Sequence, residues 1–333
     1  MDFELSDDQL ALRDAARALL DDLASPARVR AHIGAGESHD AGLWAAMVEQ
    51  GWLGIDQGFG LGFVEAAVLM EEVGRCVAPA PFAPTLLALS ALPSGSPWAE
   101  SLLAGGIGCV GWSRGDARLL VPYAPVADVA VVASPDAVVV HDLRDRRPPR
   151  ESAMDLTRCV GWLSPDAPGG EQVGGPAEGA ALVDRAAVAA CAESLGAAGR
   201  VLEMTVEHAK TRVQFGKPIG SFQAVKHRCA DMLVDLEGMR STVYHAAWCL
   251  SAGDPEASVA ASTAKVWCAD AARRIMASGL QVHGGIGFTW EHDLHLYLKR
   301  AQLDQVTFGD APVHRERLAT LLRERIAAGE SVV

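Results

Sequence analysis

Long uninterrupted apolar runs are missing from this chain, so no segment is suited to cross a bilayer as a helix. The opening, MDFELSDDQLALRD, is acidic and lacks the apolar stretch of a secretory leader, which makes a cytoplasmic location the expectation. Positive charge is scarce as well: 29 lysines and arginines stand against 42 aspartates and glutamates, a net charge of -13. That balance opposes nucleic acid and anionic membranes as general partners, and leaves any anionic ligand to be met by local donors. Clustered cysteine is the third absence. The seven cysteines, at 76, 109, 159, 191, 229, 249 and 268, are scattered, form no C-x-x-C and are odd in number. Buried free thiols in a reducing compartment are expected. Disorder is excluded too, because half of the residues are apolar and only 21% are charged.

What is present is mainly helical periodicity. Ser6 and Gln9 form a capping box, and Leu12, Ala16, Leu19, Leu20 and Leu23 then recur at helical spacing. Pro26 marks a stop or a restart. Helices are expected over 43–49, 64–76 and 86–92, with a glycine-rich loop over 52–62. Near Gly105 the character changes: short β-branched runs at 119–121, 129–133 and 138–140, and another strand candidate at 159–163, alternate with turn residues. The stretch 165–179 reads as a linker rich in glycine and proline. Helices are expected beyond it at 182–212, 221–252, 255–279 and 293–328. Trp248 and Trp267 are expected to pack between them, and Lys226, His227 and Arg228 to form a solvated face.

Two stretches carry chemistry. RVQFGKPIGSFQAVKHRCAD, at 212–231, breaks a long helical pattern with an aromatic-glycine turn. Arg212 offers a planar fork of donors suited to phosphate oxygens, and Gly216 and Gly220 allow backbone to approach a ligand closely. QVHGGIGFTWEHDLHLYLKR, at 281–300, places Gly284, Gly285 and Gly287 before an aromatic pair. His283, His292 and His295 share this neighbourhood without a carboxylate pattern that would suggest a metal site.

Three elements in order resemble the acyl-CoA dehydrogenase superfamily: R-x-x-F-G-K-x-[IL] at 212–219, the F-Q…A-D-M helix at 222–232, and Q-x-x-G-G-x-G-F at 281–288. The resemblance spans essentially the whole chain. It implies a mainly α fold with an N-terminal helical domain (1–104), a small reduced β domain (105–175) and a C-terminal four-helix bundle (176–333). Members of the family are flavoproteins that convert acyl-CoA thioesters to 2,3-enoyl products and pass electrons to electron-transfer flavoprotein. A carboxylate takes the α-proton while the flavin receives the β-hydride. In the family's dimers FAD lies across the subunit interface. Arg212, Gln214, Phe215, Phe222, Gln281, Gly284 and Gly285 match positions that meet the nucleotide half of a neighbour's FAD.

The resemblance also carries two departures. In the family's pattern around Ala301, Gly309 and Arg315, the catalytic glutamate's position falls on Phe308. In a branch with its glutamate earlier in the chain, that position falls on Ala186. No catalytic residue is therefore assigned; Asp310 is the fallback base, and Asp184 lies near the second position. In the β segment, Val110, Gly111 and Trp112 run almost directly into 119–122, which deletes the family's flavin-ring loop. The chain keeps what it would offer a partner and lacks what it would need itself. It thus resembles the short, non-catalytic type of subunit in actinobacterial heteromeric acyl-CoA dehydrogenases. That implies a catalytic partner subunit in an α2β2 heterotetramer, fatty-acid or steroid side-chain β-oxidation, and otherwise a self-sufficient enzyme using Asp310.

Overall fold

A computed structural model describes residues 4–56 and 61–329. The N-terminal part is helical: α1 (Asp7–Leu23), α2 (Pro26–Ala35), α3 (Ala41–Glu49), α4 (Phe63–Arg75), α5 (Phe82–Ala91) and α6 (Pro97–Leu103). The capping box forms as expected, with Gln9 N–H donating to Ser6 Oγ at 3.2 Å and Ser6 N–H to Gln9 Oε1 at 3.0 Å. Pro26 is a restart, sitting in the first turn of α2 where its missing N–H costs nothing. Part of the expected loop over 52–62 is a 3-10 turn at Trp52–Gly54, and residues 57–60 lie outside the described residues.

The β part holds β1 (Gly108–Trp112), β2 (Leu119–Pro122), β3 (Val129–Ala133), β4 (Val138–Asp142), β5 (Val160–Leu163) and β6 (Glu171–Gly174). One sheet runs β1-β3-β4-β6, with β1 and β3 parallel and the other pairs antiparallel; β2 and β5 form a separate antiparallel pair. Two strands depart from expectation. β1 carries two glycines in place of a β-branched run, and Gly108 is needed because a Cβ there would come within 2.7 Å of Ala88 Cβ on α5. β6 is a short, mostly polar edge strand inside the stretch expected to be a linker.

The C-terminal part contains α7 (Pro176–Thr211), the hairpin β7 (Val213–Gln214) and β8 (Lys217–Pro218), then α8 (Gln223–Ala252), α9 (Ala257–His283), α10 (Leu294–Val306) and α11 (Ala311–Ala328). The single helix expected over 293–328 is two, separated by a turn at 307–310. α7 is the spine of the molecule, packed on α4, α8, α9 and α10. Its crossing with α4 is backbone on backbone: a Cβ at Gly196 would overlap the Glu71 carbonyl, and one at Gly74 the Glu193 carbonyl. Trp267 lies over Gly238 of α8, yet Trp267 and Trp248 are 40% and 41% exposed. Trp267 of α9 thus packs on α8 as expected, its Nε1–H donating to the Asp235 carbonyl at 3.3 Å, while one side of each ring stays open at the bundle surface. The apolar core runs continuously from α1 through both β layers to α10.

Candidate functional site

Helix α7 stops because Arg212 turns extended (φ -71°, ψ 119°), and its carbonyl then accepts from Ile219 N–H at 2.8 Å. The resulting two-residue hairpin pairs Val213 with Pro218 and Gln214 with Lys217. Its tip, Phe215 and Gly216, has φ of 53° and 78°. Such a turn suits glycine; at Phe215 it costs about 1 kcal/mol. Packing offers little compensation, since Phe215 is 91% exposed and touches Phe222 edge-on with ring centroids 6.1 Å apart. A strained aromatic held out to solvent suggests function rather than stability. Arg212 is exposed, and among the described residues its guanidinium has no acid partner.

Helix α9 ends at His283, where Gly284 (φ 64°) opens a 3-10 turn, Gly284–Phe288. A Cβ at Gly284 or Gly285 would meet nothing within 4 Å, and Gly285 does not have a positive φ. Among the described residues nothing lies within 4 Å of the position a side chain at 285 would take. Gln281 is exposed beside it, and Phe288 is 73% exposed. The two turns are brought together by histidines: His208, one helical turn before Arg212, stacks on His283 with centroids 4.5 Å apart. This end of the bundle thus carries Arg212, Gln214 and Phe215 on one turn and Gln281 with open glycine backbone on the other, linked through the His208–His283 stack.

The second region is a cleft of about 420 Å³ between β1, β2 and the α10–α11 turn, lined by Val110, Trp112, Leu119, Val121, Phe308 and Asp310. Phe308 and Gly309 both have positive φ, 57° and 92°. The turn is fastened by His314, whose Nε2–H donates to the Phe308 carbonyl at 2.8 Å. Burial pushes the His314 pKa down to about 4, so the imidazole stays neutral. Trp112 covers Gly309, where a Cβ would lie 3.0 Å from its Cζ3. Asp310 caps α11, accepting from Val313 N–H at 3.1 Å.

Beneath the cleft lies a buried ionic cluster. Arg158 bridges Glu193 of α7 and Asp304 of α10, the latter at 2.6 Å; Arg300 donates to Asp155 at 2.7 Å; and Lys265 Nζ donates to the Asp304 carbonyl at 2.6 Å. Burial raises the Asp304 pKa and lowers that of Lys265. The cluster ties the β part to three helices; each acid is paired with an arginine, and Asp304 Oδ2 is buried without a hydrogen-bond partner.

Residues 6–95 match the acyl-CoA dehydrogenase N-terminal domain and residues 179–322 the C-terminal domain. Acyl-CoA dehydrogenase IpdE2 of Mycolicibacterium smegmatis is 36% identical over 306 residues, covering 89% of this chain and 93% of the relative. This chain belongs to the acyl-CoA dehydrogenase family. Among solved structures, the ChsE4-ChsE5 complex from Mycobacterium tuberculosis matches with a TM-score of 0.85 and 27% identity, over 97% of this chain and 99% of that one. The Tcur3481-Tcur3483 steroid ACAD G363A variant matches with a TM-score of 0.83 and 28% identity, over 96% and 99%. By that kinship it is an oxidoreductase.

Within the acyl-CoA dehydrogenase frame, the positions where sequence reasoning sought a base are apolar or committed. Phe308 lines the cleft, and Ala186 is wholly buried in α7. Asp184 accepts from Ser258 Oγ at 2.6 Å and is paired with Arg317. Asp310 stands at the cleft but serves as a helix cap. Lys226, His227 and Arg228 form an exposed face as expected. Sequence reasoning missed the ionic cluster and the stacking of His208 on His283, whose members lie far apart along the chain. Among the described residues no group of three or more histidine, cysteine or acidic side chains is disposed to hold a metal ion.

Proposed function

We propose that this chain is the accessory subunit of a heteromeric, FAD-dependent acyl-CoA dehydrogenase, gripping the nucleotide end of an FAD held by a catalytic partner. The observation that carries the reading is the pairing of an open grip with a baseless cleft. Arg212 is free to meet a diphosphate, and Gln214, Gln281 and the backbone at Gly284 and Gly285 offer further donors toward the adenosine side. Phe215, backed by Phe222, supplies an exposed ring at the same edge. The residues present therefore fit the nucleotide half of FAD. They do not fit the reacting half: Phe308 has no proton-accepting atom, and the β1–β2 connection is short.

FAD, when bound, would accept the hydride from the β-carbon during α,β-desaturation of the thioester. The work of this chain would be binding and orientation, with the α-proton removed by a carboxylate of the partner. The similarity to two-protein complexes, one of them a steroid dehydrogenase, supports a heteromer, for which we propose two copies of each chain, a steroid-derived acyl group, electron-transfer flavoprotein as acceptor and a cytoplasmic setting. The parts 1–104, 105–175 and 176–333 are proposed as its domains.

The test is expression of the chain alone and together with a catalytic dehydrogenase partner, reading flavin absorbance and acyl-CoA-dependent reduction of an artificial acceptor. Little flavin and no turnover alone, with both restored by the partner, is the expected result. Stoichiometric flavin and turnover by the lone chain would sink the reading. If Asp310→Asn then abolished that turnover, the self-sufficient alternative would take its place.

A further inference from the structure

Between the two turns of the grip lies a run of imidazoles. His208 of α7 stacks on His283 of α9, and His283 meets His292 edge-on with centroids 4.7 Å apart; His295 follows against Trp290 at 4.8 Å. His283 Nδ1 donates to the Gly279 carbonyl at 2.8 Å, which leaves its buried Nε2 without a partner. Both ring nitrogens of His295 are also buried and unpartnered. The His292 Nδ1 accepts from Leu294 N–H at 3.2 Å, which requires that nitrogen to be unprotonated.

Among the described residues, the charged groups facing this run are Arg212 just past α7, Arg30 from α2, Lys299 from α10 and one acid, Asp293. Asp293 is already bound to Arg30 at 2.6 Å. A proton added to the run would therefore face cations with no free acid nearby to receive it, and a second would set like charges within 5 Å of each other. Burial accordingly lowers the pKa of His208, His292 and His295.

We propose that the His208–His283–His292 stack is a positioning latch, fixing the spacing of the 212–218 and 284–288 turns only while the His208 imidazole is neutral. The stack joins the last turn of α7 to the end of α9 at the point where both turns begin. Protonation breaks it, the turns part, and the hold on a shared ligand weakens. That last step rests on the proposed function; the parting of the turns does not.

The test has two readouts on the wild-type chain and on His208→Phe, which keeps an aromatic stack but cannot be protonated at 208. The first is amide hydrogen exchange of the chain alone at pH 7.5 and pH 5.5, corrected for intrinsic rates. The second is flavin release from the co-expressed complex after a jump between the same pH values. Expected is a joint rise in exchange over 212–218 and 284–290, and roughly tenfold faster flavin release at pH 5.5, the effect of one unit of proton linkage. His208→Phe should hold flavin at pH 7.5 and flatten both responses. Unchanged exchange in the two turns, or a His208→Phe variant that titrates like the wild type, would overturn the latch. A complex without flavin at any pH, with exchange still titrating, would refute the proposed function and leave the latch standing.

Discussion

The bundle-end grip and the cleft over Phe308 are built from similar parts and leave them in opposite states. Each is a short turn between helices with a phenylalanine and a glycine at positive φ. At the grip the strained Phe215 points outward, Arg212 has no acid among the described residues, and glycine backbone borders open space. At the cleft the strained Phe308 faces inward, its carbonyl is bound by His314, Trp112 covers Gly309 and Asp310 caps its helix. One turn keeps its bonding capacity unspent and the other consumes its own. An unsatisfied exposed group suggests a partner outside the chain, whereas a satisfied one suggests internal support.

Substitutions should separate these roles. The largest effect is expected beneath the cleft, at the fully buried Arg300. Arg300→Ala strands Asp155 without its ion pair, and loss of one partner of a buried pair costs about 4 kcal/mol. Thermal unfolding should show a fall of many degrees, and a small shift would mean that the cluster is not structural. Arg212→Ala is the converse. Removing a bidentate, charge-assisted contact should weaken flavin retention by the complex roughly a hundredfold, about 3 kcal/mol. The melting temperature of the chain alone should hardly move. Equal flavin content in mutant and wild-type complexes would refute the grip.

Acid should act on both regions. Burial lowers the pKa of His39, His141, His208, His292, His295 and His314, the last to about 4. These groups bind protons more readily unfolded than folded, so the stability present above pH 6.5 is lost as pH falls toward 4. Asp304 and Asp56, raised by burial, oppose this between about pH 4 and 6 but are fewer. A melting temperature lower by a few degrees at pH 5 than at pH 7.5 is expected, and one that rises would contradict the balance. The smallest effect belongs to Asp310. Asp310→Ala should cost about 1 kcal/mol and Asp310→Asn almost nothing, as for any cap. Turnover of the complex should not change with either.

Much of this was legible in the residues. Local signals such as the Ser6 capping box, Pro26 and the R-x-x-F-G-K motif gave helix starts and the turn that ends α7, because capping and turn chemistry act over a few residues. β1 was hidden because Gly108 answers to Ala88 and Thr85 on a distant helix, and Gly111 to Leu119 and Val121 of β2, not to strand preference. The break at 307–310 was missed although Gly309, the Asp310 cap and Pro312 in the first turn of α11 are local stop and start signals, because apolar residues continue on both sides of it. The ionic cluster and the imidazole stack could not be read at all, since Asp155, Glu193 and Arg300, or His208 and His283, meet only after folding.

Native mass spectrometry of this chain co-expressed with a catalytic dehydrogenase, counting chains and flavins in one intact particle, is the most direct test of the heteromer. Two copies of each chain with two FAD molecules, and this chain alone without flavin, is the expected result. A homo-oligomer of this chain carrying one FAD per copy would contradict it.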